Sequence, residues 1–336
     1  MKAMILAAGF GTRLFPLTAD RTKPAIPFLG KPLVGYVAQY LSRFGFKDVI
    51  VNLHHQPESV TAALGDGSLF GTKIYYALEQ PHILGTAGAL WNARRFLEKE
   101  TFLAINGKII TDIDLTAALE THKKSGAIAT MVLKENTKNE KFTIIKTENN
   151  LVTGFGGFPK PIFADEIQNS KFKIQNPSLM YTGIQILEPT VFDYIPAEIE
   201  SDIISVFYRP AIAKGVSIAA HVATGNWFEL STIPRYLDIS LAMLGGANNG
   251  VVVGADSKID VSATVKDSVL WENVIIGAGA TVERAVLGDN VIINANQTIS
   301  NAAVVRADLV RGQEIPAKAL DGFFEGDNYV VPLRLS

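Results

Sequence analysis

Cysteine is absent from the 336 residues, which removes disulfides, thiolate nucleophiles and cysteine-ligated zinc together and agrees with a reducing compartment. The expected location is cytoplasmic. Charge of one sign is also scarce: 31 Lys and Arg against 33 Asp and Glu leave a formal net charge of −2. No basic block interrupts that balance, so no nucleic-acid partner is expected. No uncharged apolar run approaches the roughly 18 residues needed to span a bilayer, so membrane insertion is not expected either. The start, MKAMILAAGF, imitates a short signal segment but runs straight into Gly11, Thr12 and Arg13 without a polar cleavage region, and it reads as a buried first strand. The five histidines, His54, His55, His82, His122 and His221, show no metal-ligand spacing and read as surface or packing residues. Trp91, Trp227 and Trp271 read as core residues.

Residues that are 48% hydrophobic and 19% charged describe an ordinary globular protein, long enough for about two domains. Strand-like runs at 3–7, 49–53, 73–78, 102–105 and 127–133 alternate with helical patterns at 33–44, 58–64, 86–97 and 115–124, the last capped by Asp114. That alternation predicts an α/β fold with a Rossmann-like, mostly parallel sheet covered by helices. Strand-like pieces at 142–146 and 179–187 and helical patterns at 202–213 and 233–244 complete the same domain. Gly245, Gly246, Asn248, Asn249 and Gly250 form a turn-rich break, which divides the chain into domains 1–246 and 247–336.

The second domain carries an internal repeat. IDVSATV (259–265), IGAGATV (276–282) and INANQTI (293–299) start 17 residues apart, with aliphatic residues six apart and Thr264, Thr281 or Thr298 just before the second. Inward aliphatics separated by small corner residues predict a left-handed parallel β-helix of the hexapeptide-repeat kind, with Ile276 facing its core.

The densest chemical signal is LAAGFGTRL (6–14), followed by Pro16, Lys23-Pro24, Pro27 and Gly30-Lys31-Pro32. Gly9 and Gly11 allow a tight turn whose N–H groups can approach phosphate oxygens, while Arg13 and Lys23 supply countercharge. A plain structural turn would explain Gly-x-Gly alone. Two familiar phosphate motifs are excluded: Leu14 stands where a dinucleotide fingerprint needs glycine, and Pro32 where a Walker A loop needs Ser or Thr.

The string from Leu6 to Pro32 resembles the N-terminal signature of the sugar-1-phosphate nucleotidylyltransferases, which include mannose-1-phosphate guanylyltransferases and N-acetylmuramate-1-phosphate uridylyltransferases. LGTAGAL (84–90) is similar to that family's base- and ribose-contacting turn, and the repeat tail to that of its guanylyltransferase-like members. The resemblance implies a nucleotidyltransferase (GT-A-like) sheet, an NTP and a sugar 1-phosphate as substrates, a homo-oligomer, and Mg²⁺ as cofactor. It assigns Leu6, Ala8, Gly9, Gly11, Thr12, Glu79, Gly85, Thr86 and Asn106 to the nucleotide, and Arg13 and Lys23 to the reacting phosphates. GFGGFPKP (154–161) and YTGIQIL (181–187) look like its sugar side, with Lys160, Thr182 and Gly183 as contacts. The usual Glu-Lys-Pro triplet reads Pro159-Lys160-Pro161 here, so recognition of the sugar hydroxyls must differ.

The main departure is at the metal. Relatives carry Asn-Gly-Asp where this chain has Asn106-Gly107-Lys108, an ammonium in place of a metal-binding carboxylate. The second metal ligand falls on Glu229 in WFELST (227–232). Lys108 therefore either neutralises the phosphates itself, displaces the metal towards Glu229 and Asp112, or marks a silent, ligand-binding regulator. Asp112 and Asp114 also read as helix-start residues. An acyltransferase role for the tail is disfavoured because no histidine follows His221 to act as base.

Overall fold

The computed structural model describes residues 1–137, 140–159 and 178–333. The chain divides into two compact units, one of Met1–Ala8, Val37–His54 and Gly65–Trp227, the other of Gly9–Tyr36, His55–Leu64 and Phe228–Ser336. The break expected at 246/247 falls inside the second unit, because the N-terminal loop groups with the tail.

The first unit is built on a nine-stranded sheet among the described residues. In chain order its strands are β1 (Ala3–Leu6), β2 (Asp48–Leu53), β3 (Lys73–Leu78), β4 (Phe102–Asn106), β5 (Ala129–Glu135), β6 (Ile144–Glu148), β7 (Leu151–Phe155), β8 (Leu179–Leu187) and β9 (Ile218–Val222). Their spatial order is β3-β2-β1-β4-β8-β5-β9-β7-β6. From β3 to β4 all pairs are parallel, with Ile5 opposite both Val51 and Ile105. The inner strands β1, β2 and β4 are near-continuous apolar runs, as burial on both faces requires. β8 then enters antiparallel to both β4 and β5, so the sheet is mixed rather than parallel throughout. Two of its strands escape the sequence pattern. β7 follows β6 through Asn149-Asn150, both at positive φ (50° and 61°), the tight turn that a two-residue hairpin favours. β9 is short and alanine-rich, and it pairs parallel to β5.

Helices α1 (Leu33–Arg43), α2 (Pro57–Leu64), α3 (Gly85–Asn92), α4 (Leu115–Ser125) and α5 (Ile233–Leu244) correspond to expected helical patterns. Two expectations differ: at 86–97 a short second helix, Arg94–Leu97, follows α3, and at 202–213 a π-helical stretch, Ile204–Tyr208, precedes a short α-helix, Arg209–Ala213. Asp114 caps α4 by accepting from Thr116 and Ala117 N–H. A continuous core beneath the sheet includes Met4, Ile50, Ala104, Leu187 and Phe207.

In the second unit the repeat becomes stacked coils. Every parallel pairing between residues 252 and 304 has an offset of 17, such as Ile276↔Ile293, Val282↔Ile299 and Leu270↔Leu287. The spacing read in the sequence is thus the register of the stack. Asp256, Asn273 and Asn290 recur at one corner, and Asp267, Arg284 and Asn301 at another, all in the left-handed region where Asn and Asp are tolerated best. Ile276 is buried in the stack's core. An antiparallel return, with residues 302–306 paired to 328–332, closes it.

Candidate active site

In parallel α/β sheets ligands bind beyond the carboxyl ends of the strands. Here Leu6 lies beside Asn106 at that edge, Leu53 beside Leu78, and Ala7–Ala8, Glu79 and Gly107-Lys108 follow directly. The edge is organised by a side chain that no motif singled out. Asn52, buried on β2, accepts from Ala7 N–H (2.7 Å) and donates to Glu79 Oε1 (2.6 Å). Glu79 Oε2 accepts from Leu84 N–H (2.7 Å), and the Glu79 carbonyl meets His54 Nδ1 at 3.0 Å. Glu79 is 1% exposed, so both carboxylate oxygens fix the turn that leads to Gly85. The carboxylate assigned to the nucleotide is thus engaged in holding this turn.

Burial pushes the Glu79 carboxyl above its ordinary value of 4.5, opposed by the Asn52 and Leu84 donors and by His54. A folded-state pKa above the unfolded one means that the folded chain binds the extra proton between the two values, so stability falls as pH rises through that window. Glu79→Gln is expected to flatten that slope and to cost about 1–3 kcal/mol, because an amide offers one acceptor where two donors wait. Urea unfolding of both proteins at stepped pH from the mildly acidic range upwards checks this. Parallel slopes would show that Glu79 does not titrate differently on folding.

The expected turn at LGTAGAL is tied to residues 199–203. Ser201 N–H donates to Leu84 O and Ala87 N–H to Ser201 O, both at 2.9 Å, and Gly85 lies between these bonds. The Thr86 hydroxyl accepts from Ile203 N–H (2.9 Å) and donates to Asp202 (3.3 Å). The hydroxyl assigned to the nucleotide is thus engaged in closing this turn.

On β8, Gly183 sits at φ 81°, inside the bulge between Tyr181 and Ile184. A Cβ there would run into the Asn106 amide, so glycine lets β8 lie against Asn106. Thr182 is fully buried. Its hydroxyl donates to Val132 O (2.7 Å), and its carbonyl accepts from Trp227 Nε1 (2.8 Å). Its hydroxyl is thus engaged within the bulge. Lys160 lies outside the described residues. Asp112 holds Asn226 through both carboxylate oxygens, and Lys108 is half-buried at the end of β4.

The glycine loop after β1 belongs to the second unit. Gly9 is exposed and Gly11 is left-handed at φ 69°. A Cβ on Gly11 would lie 3.0 Å from Lys23 Cβ and 3.3 Å from Lys23 N, so the loop folds back until Lys23 rests on Gly11. Thr12–Leu14 form one tight turn, with Leu14 N–H bonded to Gly11 O at 2.8 Å. The Leu14 side chain anchors in the interior while Arg13 stays exposed. Glu229 is 8% exposed, and its carbonyl accepts from Arg235 Nε (2.7 Å).

Magnesium takes several oxygen ligands. Of the two expected carboxylates this chain retains Glu229 and replaces the other with an ammonium. No group of three His, Cys, Asp or Glu suited to a metal occurs among the described residues. This donor set does not fit a two-carboxylate magnesium site.

A strand of a largely parallel α/β sheet that runs into a glycine turn followed by Arg13 and Lys23 is the arrangement of nucleotide-binding α/β proteins. Comparison with known proteins narrows it. The nucleotidyl transferase family matches residues 2–245, and the GlmU-like C-terminal hexapeptide family matches 240–309. An N-acetylmuramate α-1-phosphate uridylyltransferase of Neisseria meningitidis is 32% identical over 70% of this chain and 95% of its own length. A UTP–glucose-1-phosphate uridylyltransferase of Synechocystis is 29% identical over 82% and 72%, and a mannose-1-phosphate guanylyltransferase of Mycobacterium tuberculosis 27% over 73% and 65%. A solved Bacillus anthracis structure, described as a glucose-1-phosphate thymidylyltransferase, shares the fold with a TM-score of 0.60 at 24% identity, covering 74% of this chain and 96% of that one. The chain belongs to the sugar-1-phosphate nucleotidylyltransferases of the nucleotidyl transferase family. No helix among the described residues is long and apolar enough to cross a membrane.

Proposed function

We propose that this protein transfers a nucleotidyl group from an NTP to a sugar 1-phosphate and releases pyrophosphate, with guanylyl transfer to mannose 1-phosphate or a related sugar preferred. The observation that carries the reading is the loop after β1, where Lys23 rests on a left-handed Gly11 and Arg13 is exposed. The base and sugar preference rests on the repeat tail. Its support is the similarity to mannose-1-phosphate guanylyltransferases, which uridylyltransferases share at comparable identity.

The chemistry needs no covalent intermediate. A phosphate oxygen of the sugar 1-phosphate attacks the α-phosphorus in line, the bond to the bridging oxygen breaks, and pyrophosphate leaves with that electron pair. Catalysis is then positioning plus neutralisation of charge. Arg13 and Lys23 take the triphosphate, Lys108 the reacting phosphate and Lys160 the sugar phosphate. Glu229 is the one carboxylate retained of the two expected at the metal, so the cations carry the neutralisation in this reading. We assign catalysis to residues 1–246 and a supporting role to the β-helix of 247–336, in a cytoplasmic homo-oligomer.

Pyrophosphate release with four NTPs against a panel of sugar 1-phosphates tests the reading. Turnover with one pair identifies the substrates. Binding of a nucleotide sugar without turnover would favour the regulatory reading that Lys108 suggests. Arg13→Ala is expected to raise the KM for NTP by about 10- to 100-fold, the loss of one charge-assisted contact, with unchanged thermal stability because Arg13 is exposed. Unchanged nucleotide affinity would put the role of the loop elsewhere.

A further inference from the structure

The segment that carries Lys23 is fastened within its own unit from several directions, and much of the fastening comes from the tail. The Ala19 carbonyl accepts from Gln56 Nε2 (3.1 Å) and Gln313 Nε2 (3.4 Å). Thr22 N–H donates to Ser59 Oγ (3.1 Å). The Pro27 carbonyl accepts from the Tyr236 hydroxyl (2.6 Å), which in turn accepts from Trp271 Nε1 (3.0 Å). Between these points stands Arg21. Its Nη2 donates to Asp289 Oδ2 (2.6 Å), and its guanidinium stacks over the Trp271 ring at 5.2 Å. Nε and Nη2 also meet the neighbouring Asp20 at 2.8 and 3.0 Å.

An arginine two residues before Lys23 invites a phosphate-binding role, but its surroundings argue otherwise. Asp20 and Asp289 together offset its charge, and the Arg21 and Asp289 side chains retain only 21% and 18% of their exposure. Burial alone would lower the Arg21 pKa; the two carboxylates overcome that and raise it, so the guanidinium stays charged within the pair. Asp289 is itself held, since its Oδ1 accepts from Glu272 N–H (2.9 Å), the residue one coil earlier. The pair is therefore oriented from two successive coils.

We propose that Arg21 is a positioning residue for the triphosphate, and that the coil stack holds the Lys23-bearing loop in its phosphate-binding shape through Asp289 and Trp271. The inference rests on the transferase reading, and it gives the tail a part in nucleotide affinity. A loop whose shape is fixed in advance loses less entropy when it closes on phosphate.

The test compares Asp289→Asn, which breaks the link to the tail, with Asp20→Asn, which breaks only the local pair. Asp289→Asn is expected to raise the KM for NTP by about tenfold, the effect of one charged hydrogen bond, with the KM for sugar 1-phosphate within about twofold of wild type. Hydrogen exchange of residues 19–27 should quicken in the same variant, and Asp20→Asn should change neither readout comparably. Should Asp289→Asn fail to fold, Arg21→Lys keeps the charge but loses the fork and the stack, and the same two readouts apply to it. Equal KM values and equal exchange in wild type and variant would overturn the inference. If the wild type turns over no NTP, the transferase reading fails by itself. The exchange comparison then still decides whether the tail holds the loop.

Discussion

Ile276→Asp is expected to cost above about 4 kcal/mol of stability, because it removes a buried aliphatic side chain and leaves an unpaired carboxylate in its place. Ile276 is 2% exposed, paired with Ile259 below and Ile293 above in the stack. Each coil touches only its neighbours, so the damage should spread first to the adjoining coils. The preceding residue provides the control. Ile275 is 41% exposed on the same short strand, and Ile275→Asp should change stability by no more than about 0.5 kcal/mol. Urea unfolding with hydrogen exchange across 252–304 measures both. Equal effects of the two substitutions would mean that the coil faces are assigned the wrong way round. Because Asp289 and Trp271 hold Arg21, loosening the stack by Ile276→Asp should also quicken exchange in residues 19–27.

The stack was legible because a coil repeats both its inward side chains and its corners, and a 17-residue period passes directly into a 17-residue register. The parallel half of the sheet was legible for a related reason, since strands buried on both faces stand out as apolar runs. The remaining strands were harder to read. β7 contains Gly154 and follows an Asn-Asn turn that its sequence does advertise, while the alanines of β9 carry little strand preference. At the site, the glycines and cations of the loop could be read one by one, but the commitments of individual side chains could not. Thr182 and Glu79 look like ligands in a motif, and the structure adds internal partners that the motif does not show, Val132 for one and Asn52 and Leu84 for the other. Asn52 and Arg21 were invisible for the converse reason: their roles depend on partners 27 and 268 residues away, and no local pattern marks such a pairing.

Lys108→Ala is expected to weaken NTP binding by about 10- to 100-fold, and Lys108→Asp to make turnover far more dependent on magnesium. The reasoning starts from position. Gly107 N–H bonds to Leu6 O at 2.9 Å, and Asn106 lies opposite Leu6. Lys108 therefore leaves the sheet at the carboxyl edge, where relatives are expected to carry a metal-binding aspartate. Charge then decides between the options. Two unit charges about 4 Å apart interact by about 4 kcal/mol at an effective dielectric of 20, and a divalent ion doubles the repulsion felt by an ammonium. Lys108 and a magnesium ion cannot share that position, so the ammonium is expected to take over the neutralisation of phosphate there. Aspartate at 108 reverses the sign: it is expected to repel phosphate unless a divalent ion bridges them, which ties turnover to magnesium. Initial rates across a magnesium titration, with nucleotide binding by calorimetry in the presence and absence of a chelator, separate these effects. Wild type should lose less activity on chelation than Lys108→Asp, and Lys108→Ala should bind nucleotide weakly at every magnesium concentration. If both substitutions prove kinetically silent, and a nucleotide complex shows the ammonium beyond hydrogen-bonding reach of every phosphate oxygen, Lys108 has no part in the chemistry.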